Sequence, residues 1–294
     1  MDKEKSTVRV PGSCGELAQG LLGEKEFLIS CPVDIYSEVT VKLSDGGKIE
    51  LTGGPYEKTR NALKKTLKHY RREELGLKAD IKSALHIGKG MGSSTADMVA
   101  AIAGVMKALN CEIDLDIIKN IIISIEPSDC TFLPGINLFN HKTGEKISYL
   151  GAPPAIDILM FCEPGKVDTI KFNQDKTLLE AKRKKSSYVR QALSSIKEGL
   201  KKGDKYLIGK GATLSSIAHQ NIVYKPSLNK ILTITNDTSG VYGVNIAHSG
   251  TLIGILVEPG INWDNLIKNI TKDISDLSYI TRSRIISGGI DIIE

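Results

Sequence analysis

The chain has 294 residues, and 39 Lys and Arg against 34 Asp and Glu give a formal net charge of +5 at pH 7. Apolar residues make up 41 % and charged residues 25 %, an ordinary globular composition that excludes a disordered or fibrous chain. No apolar run reaches the roughly 18 residues of a membrane span, aromatics are too scarce for nucleic-acid stacking, and the five cysteines form no CxxC pair. We therefore expect a cytoplasmic protein with reduced thiols that binds neither membrane nor nucleic acid, and whose mild positive charge attracts a small anion.

Two prolines govern the prediction for the first strands. Residues 8–10 form a short β-like run that should stop at Pro11, because the turn-forming residues 11–15 cannot continue a strand. Alternating and β-branched residues in 27–43 predict two strands with a bend at Pro32.

The remaining elements follow from periodicity and from breaker residues. In chain order, the pattern predicts a strand at 49–52 that closes a hairpin with the strand before it, a helix at 57–75, a strand at 79–87, helices at 95–109 and 115–125, a hairpin over 136–149, a strand at 156–162, helices within 182–202, 204–221 and 227–236, strands at 241–247 and 252–257, a helix at 263–277 and a last strand near 283–293. Pro153 and Pro154 mark the boundary between two predicted domains, 1–152 and 153–294. Strands and helices that segregate in this way predict an α+β fold rather than a doubly wound sheet.

A glycine-rich segment stands between the strand at 79–87 and the helix that begins at Thr95. It has the sequence Gly88-Lys89-Gly90-Met91-Gly92-Ser93-Ser94. Glycines let a backbone approach a ligand closely, and the unpaired amides of a helix's first turn attract an anion. The segment therefore predicts a phosphate site, with two serine hydroxyls available to phosphate or metal. The alternative is an ordinary glycine-rich turn with serine N-caps, and the spacing fits neither a Walker A loop nor a dinucleotide fingerprint.

Three motifs in order resemble those of the GHMP small-molecule kinases. Residues 87–96 are similar to the family's nucleotide loop, although the leading proline is missing and Met91 stands in place of leucine. Residues 11–16 are similar to its N-terminal motif and 245–251 to its C-terminal glycine-rich motif. Ser13 stands where many members carry a lysine, so no lysine at that place polarises the substrate hydroxyl.

The resemblance implies a two-lobed fold with the active site in the cleft between the lobes. The N-terminal lobe would be a mixed βα domain that carries the nucleotide loop, and the C-terminal lobe a ferredoxin-like α+β domain. The implied cofactors are ATP and Mg²⁺. The residues expected to bind the nucleotide are Gly88, Gly90, Met91, Gly92, Ser93, Ser94 and Thr95.

Two acidic residues, Glu126 and Asp129, follow the predicted helix at 115–125. Pro127 turns the chain there, which brings Asp129 back near Glu126. Phosphoryl transfer needs Mg²⁺, which prefers hard oxygen ligands, and often a carboxylate near the acceptor proton. The resemblance implies that Glu126 binds Mg²⁺ together with Ser93 or Ser94, and that Asp129 orients or deprotonates the acceptor hydroxyl. The alternative is that both acids only terminate the helix.

Four strings (residues 11–17, 31–36, 126–129 and 247–251) resemble the branch of the family that phosphorylates L-threonine for the aminopropanol arm of cobalamin biosynthesis. L-Threonine is therefore the favoured acceptor. Homoserine is the nearest alternative, and a non-catalytic nucleotide-binding regulator is another.

An amino-acid acceptor needs an anionic partner for its ammonium group and donors for its carboxylate. The candidates are Glu16 and Asp34 for the ammonium group, and Ser13, Ser249 and Gly250 for the rest of the substrate. His248 is expected to be a hydrogen-bonded turn residue rather than a catalyst.

Overall fold

The computed structural model describes residues 5–54, 56–165, 180, 183–220 and 222–293. The strands within these residues are β1 (Lys5–Leu22), β2 (Lys25–Asp45), β3 (Ile49–Thr52), β4 (Leu75–Ser83), β5 (Ile136–Phe139), β6 (Lys146–Gly151), β7 (Asp157–Cys162), β8 (Val241–Ile246), β9 (Leu252–Val257), β10 (Ser278–Arg284) and β11 (Asp291–Ile292). The helices are α1 (Glu57–His69), α2 (Ser93–Ala108), α3 (Leu115–Ile123), α4 (Ser186–Lys202), α5 (Lys205–His219), α6 (Leu228–Thr235) and α7 (Asp264–Asp273). The predicted α+β class is confirmed. Residues 182 and 221, at the ends of two predicted helices, lie outside the described residues.

One sheet joins strands from both halves of the chain. Its main order is β10-β7-β9-β8-β1-β2-β4-β3, while β11 pairs with β1, and β5 pairs with β2 and β6. Only β3 and β4 are parallel among the described strand pairs. β1 lies between β8 and β2, so the motif at 11–16 occupies the middle of the sheet. The division at residue 152 stays a prediction.

The two predicted breaks in the first strands are wrong. β1 continues through Pro11, and β2 continues through Pro32. β1 accommodates its irregular residues by shifting register against β2 between residues 11 and 18, and Pro32 lies opposite Ser13 at one of these shifts. A bulge leaves residues out of the regular ladder, so the missing proline amide breaks no regular pairing there.

Three other boundaries and pairings differ from the prediction. β3 pairs in parallel with β4 and does not close a hairpin with β2, because α1 supplies the crossover that parallel strands need. α1 ends at His69, where Tyr70 caps the helix and Arg71 adopts a left-handed φ of 54°. β4 lies at Leu75–Ser83, four residues before its expected position, so residues 84–87 lead into the glycine-rich segment.

α2 is almost entirely buried, and it begins directly after the glycine-rich segment. Residues 98–103 are fully buried, as expected of a helix that is apolar on all sides. It packs against β1 and β2 on one side and against α1 on the other. The predicted strands at 241–247 and 252–257 are confirmed as β8 and β9, and they form a second apolar cluster with α6 and α7.

Within the described parts of the chain, none of the helices combines the length and apolar character that crossing a membrane would need.

Candidate active site

A cavity of about 290 Å³ opens at the N-terminal end of α2. It brings together segments that are far apart in the sequence: β1, the residues before α2, the residues after α3 and the loop after β8. The predicted site residues that line it are Glu16, Gly88, Gly90, Met91, Gly92, Ser93, Ser94, Thr95, Glu126, Asp129 and Ser249.

Backbone hydrogen bonds from both sides hold the glycine loop (residues 88–92). From β1, the amide of Ser13 donates to Met91 O at 2.9 Å, and the amide of Gly15 donates to Gly90 O at 3.1 Å. From the loop after β8, the amides of Thr251 and Leu252 both donate to Lys89 O, at 2.9 and 3.0 Å. The carbonyls of residues 89–91 are therefore bonded to the flanking segments.

The conformation of the glycine loop requires glycine at two positions. Gly90 has φ +96°, and a Cβ there would overlap the Cβ of Ala247. Gly92 has φ +63°, and a Cβ there would lie 2.8 Å from Asp129 Oδ2. Both positions combine left-handed backbone with close neighbours, which excludes a side chain.

The first turn of α2 presents its amides to the cavity. Gly92 is the N-cap residue, and no described side chain caps this helix. Ser93 and Ser94 therefore lie inside the helix and not at its N-cap. The amides of residues 93–95 and the positive end of the helix dipole give this end of the cavity the chemistry that suits an anion.

Glu126 receives two hydrogen bonds at the cavity wall. Its Oε1 accepts from the hydroxyl of Ser94, and its Oε2 accepts from Lys58 Nζ at 2.5 Å. The side chain of Glu126 is only 9 % exposed. Ser94, and not Ser93, is thus the serine that shares a small oxygen cluster with this carboxylate.

Asp129 lies behind the glycine loop with its carboxylate toward the cavity. Its Oδ1 accepts from Ser30 Oγ at 3.3 Å, and its backbone amide donates to Thr95 Oγ1 at 3.3 Å. Desolvation by the surrounding protein, with a further contribution from the charge of Glu16, raises the pKa of Asp129 from 3.8 to about 7. A carboxyl group with such a pKa can accept a proton near neutral pH.

Glu16 is buried and held by His248. Its Oε2 accepts from the backbone amide of His248 at 2.8 Å and lies 3.0 Å from His248 Nδ1. Burial raises the pKa of Glu16 to about 7, although the His248 amide and the charge of Lys225 oppose the shift. His248 is fully buried, so it orients Glu16 from behind and does not reach the cavity itself.

The structure places three other predicted residues outside the cavity lining. Ser13 is buried beside Gly92, and its hydroxyl has no hydrogen-bond partner among the described residues. The carbonyl of Gly250 accepts from the buried Lys225 Nζ at 2.5 Å. Asp34 lines a separate, shallow depression with Arg9 and Tyr36, so the geometry gives no support to a role for Asp34 at this site.

Sequence reasoning missed Lys58 and Ser30. Lys58 is one of many lysines on α1, and nothing in its local pattern distinguishes it from the solvated ones. Ser30 lies on β2 and reaches Asp129 only through the pairing of the folded chain. Neither residue belongs to a recognisable motif, so only the fold could have identified them.

Comparison with known proteins gives the class to which this fold and site belong. Residues 58–133 match the family described as the GHMP kinases N terminal domain. The homoserine kinase of Cytophaga hutchinsonii superposes with a TM-score of 0.74 over 100 % of this chain and 98 % of that one, at 17 % identity. The chain belongs to the GHMP kinase family, and its relatives support a phosphotransferase.

Two relatives within the family are L-threonine kinases. The enzyme of Salmonella typhimurium is 30 % identical over 259 residues, which are 86 % of this chain and 83 % of the relative. The enzyme of Citrobacter freundii is 28 % identical over 298 residues, which are 98 % of this chain and 99 % of the relative.

Proposed function

We propose that this kinase transfers the γ-phosphoryl group of ATP to the hydroxyl of L-threonine and forms O-phospho-L-threonine. The observation that carries the proposal is the meeting, in one cavity, of the uncapped start of α2 with Glu126 and Asp129. Similarity to two L-threonine kinases supports the acceptor. The product would serve the aminopropanol arm of cobalamin biosynthesis, as the sequence resemblance implies.

The triphosphate would lie against the glycine loop and the amides of residues 93–95. These donors are fixed before the nucleotide arrives, because the loop is bonded to β1 and to the segment after β8. Preorganised donors stabilise developing negative charge without rearrangement, which is their main contribution to the rate.

The residues at the cavity wall fit Mg²⁺. The carboxylate of Glu126 and the hydroxyl of Ser94 are hard oxygen donors that lie side by side. Mg²⁺ commonly takes one or two such protein ligands and completes its shell with phosphate oxygens and water. When bound, the ion would neutralise charge on the phosphates during transfer.

Asp129 would accept the proton of the threonine hydroxyl. The threonine oxygen forms a bond to the γ-phosphorus, the bond from that phosphorus to the bridging oxygen breaks, and ADP leaves. The pKa of Asp129, about 7, leaves a large fraction of this carboxylate ionised at neutral pH and makes it basic enough to take the proton.

Glu16 would bind the ammonium group of the acceptor. One of its oxygens is bound by His248, and the side chain lines the cavity on the same side as Asp129. Two carboxylates in a desolvated wall favour a cationic ligand group. The backbone amide of Ser249, which lines the cavity, is a candidate for the substrate carboxylate, whereas Gly250 lies outside the lining.

A panel of acceptors tests the proposal. ADP release with MgATP would be measured with L-threonine, L-serine, L-homoserine, mevalonate and 3-hydroxybutyrate, which is threonine without its amino group. We expect the highest kcat/KM with L-threonine, O-phosphothreonine by mass spectrometry, and little turnover with 3-hydroxybutyrate. Preference for homoserine or mevalonate would overturn the acceptor and leave the family unchanged.

A further inference from the structure

We propose that Lys58 binds the phosphates of ATP, and that its ammonium group occupies Glu126 only while the nucleotide is absent. The inference rests on the proposed function, because it assigns a residue to the same nucleotide site. It adds a cationic residue that lies outside the short motifs at residues 11–17, 31–36, 87–96, 126–129 and 245–251.

Helix packing brings Lys58 to the cavity. Lys58 lies in the first turn of α1, and α1 packs against both α2 and α3. Glu126 follows the end of α3, where its amide donates to Ile122 O at 3.0 Å. The start of one helix therefore meets the end of another at the cavity wall, and the negative end of the α3 dipole favours a cation there.

The side chains of Lys58 and Glu126 are in close contact, but that of Lys58 is far more exposed to solvent. Lys58 Nζ lies 2.5 Å from Glu126 Oε2, while the side chain of Lys58 is 43 % exposed and that of Glu126 is 9 % exposed. Glu126 is fixed by the wall and by Ser94, whereas Lys58 has a flexible stem at the mouth of the cavity. Lys58 can therefore move without unpacking the core.

The charges around the cavity show why the phosphates would attract Lys58. Three carboxylates line it: Glu16, Glu126 and Asp129. Among the described residues that line it, Lys58 is the one lysine or arginine. A triphosphate needs cationic partners. Lys58 supplies positive charge beside Glu126.

Glu126 cannot serve Lys58 and a metal ion equally well. A divalent ion on Glu126 would repel the ammonium group, and the phosphate oxygens beside it would attract that group. Lys58 therefore competes with a free cation for Glu126 and cooperates with the nucleotide. A lysine that only stabilised the fold through Glu126 would compete with the cation but would not cooperate with the nucleotide.

Binding measurements separate these possibilities. Lys58→Met would be compared with Lys58→Arg, which keeps the charge, and with Lys64→Met, which removes an exposed lysine from the same helix. ATP affinity would be measured by calorimetry in EDTA, and Mn²⁺ affinity by electron paramagnetic resonance without nucleotide. We expect Lys58→Met to weaken ATP binding by about tenfold, as for a lost hydrogen bond to a charged group. We expect it to tighten Mn²⁺ binding by about threefold, as for the removal of a half-exposed ion pair.

The opposite signs of the two effects make the assignment refutable. Lys58→Arg should retain most of the ATP affinity, and Lys64→Met should match the wild type in both titrations. Unchanged ATP affinity in Lys58→Met, with a wild type that binds ATP, would overturn this assignment alone. A wild type that binds no ATP would overturn the proposed function and this assignment with it. Weaker binding of both ATP and Mn²⁺ by Lys58→Met would indicate a distorted site and would also overturn the assignment.

Discussion

Replacement of Asp129 by Asn should stabilise the protein in alkaline solution while it abolishes turnover. The pKa of Asp129 rises from 3.8 to about 7 on folding, chiefly because the surrounding protein desolvates it. Between these two values the folded state holds a proton that the unfolded state has released. The free energy of unfolding of the wild type therefore falls as the pH rises through this window and levels off above it.

The shift sets an upper limit on the effect. Relative to strongly acidic solution, where both states are protonated, the shift lowers the free energy of unfolding by at most about 4 kcal/mol at pH 8 and by about 2 kcal/mol at pH 5. Asn does not titrate, so its advantage over the wild type should grow by up to about 2–3 kcal/mol between pH 5 and pH 8. For a chain of this length that corresponds to about 4 °C in Tm.

Thermal unfolding without nucleotide or metal, followed by circular dichroism at pH 5, 6, 7 and 8, measures this difference. The control is Asp276→Asn, which alters an exposed turn and should show no pH-dependent gain. ADP release by Asp129→Asn should fall by about a hundredfold or more, as for loss of a general base. A Tm difference between Asp129→Asn and wild type that is the same at pH 5 and pH 8 would refute the desolvation argument.

Two further predictions concern the glycine loop and the serines after it. Ser94→Ala should raise the Mg²⁺ concentration for half-maximal activity by about tenfold, because Glu126 loses the hydroxyl that orients it. Ser93→Ala should leave that Mg²⁺ concentration largely unchanged. A larger effect from Ser93→Ala than from Ser94→Ala would contradict the assignment. Gly90→Ala should lower the free energy of unfolding by about 2–4 kcal/mol and weaken ATP binding, since its Cβ meets Ala247 as well as a left-handed backbone. Gly46 has a similar φ of +89° with open space around it, so Gly46→Ala should show a loss of only about 1 kcal/mol in denaturant unfolding, and equal losses would show that packing at Gly90 is irrelevant.

The parts of the fold that the sequence predicts well are those whose periodicity is local. α2 begins within two residues of its predicted start because a glycine-rich turn precedes a long apolar run. β8 and β9 are flanked by turn residues and lie almost where the pattern puts them. In contrast, the continuation of β1 through Pro11 depends on its pairing with β2, and the parallel partner of β3 depends on a crossover.

The candidate site follows the same division. Motif resemblance and the turn at Pro127 predict Glu126 and Asp129 as site residues, and the structure brings both to one cavity. The choice of Ser94 as the partner of Glu126 depends on which side of a helix faces α3, and a run of two serines cannot encode it. Lys58 reaches the site because two helices cross, and that information is absent from any single stretch of sequence.

The glycine loop is held by one segment near the start of the chain and by another in its last fifth. Residues 13–15 and 251–252 grip residues 89–91 from opposite flanks, so the loop acquires its shape only after chain segments some two hundred and forty positions apart have come together. Long-range contacts carry the largest closure entropy, so we expect the loop to reach its native conformation late in folding. The conformation of the loop also depends on both flanking segments, so we expect local opening of either segment to abolish activity before the sheet unfolds.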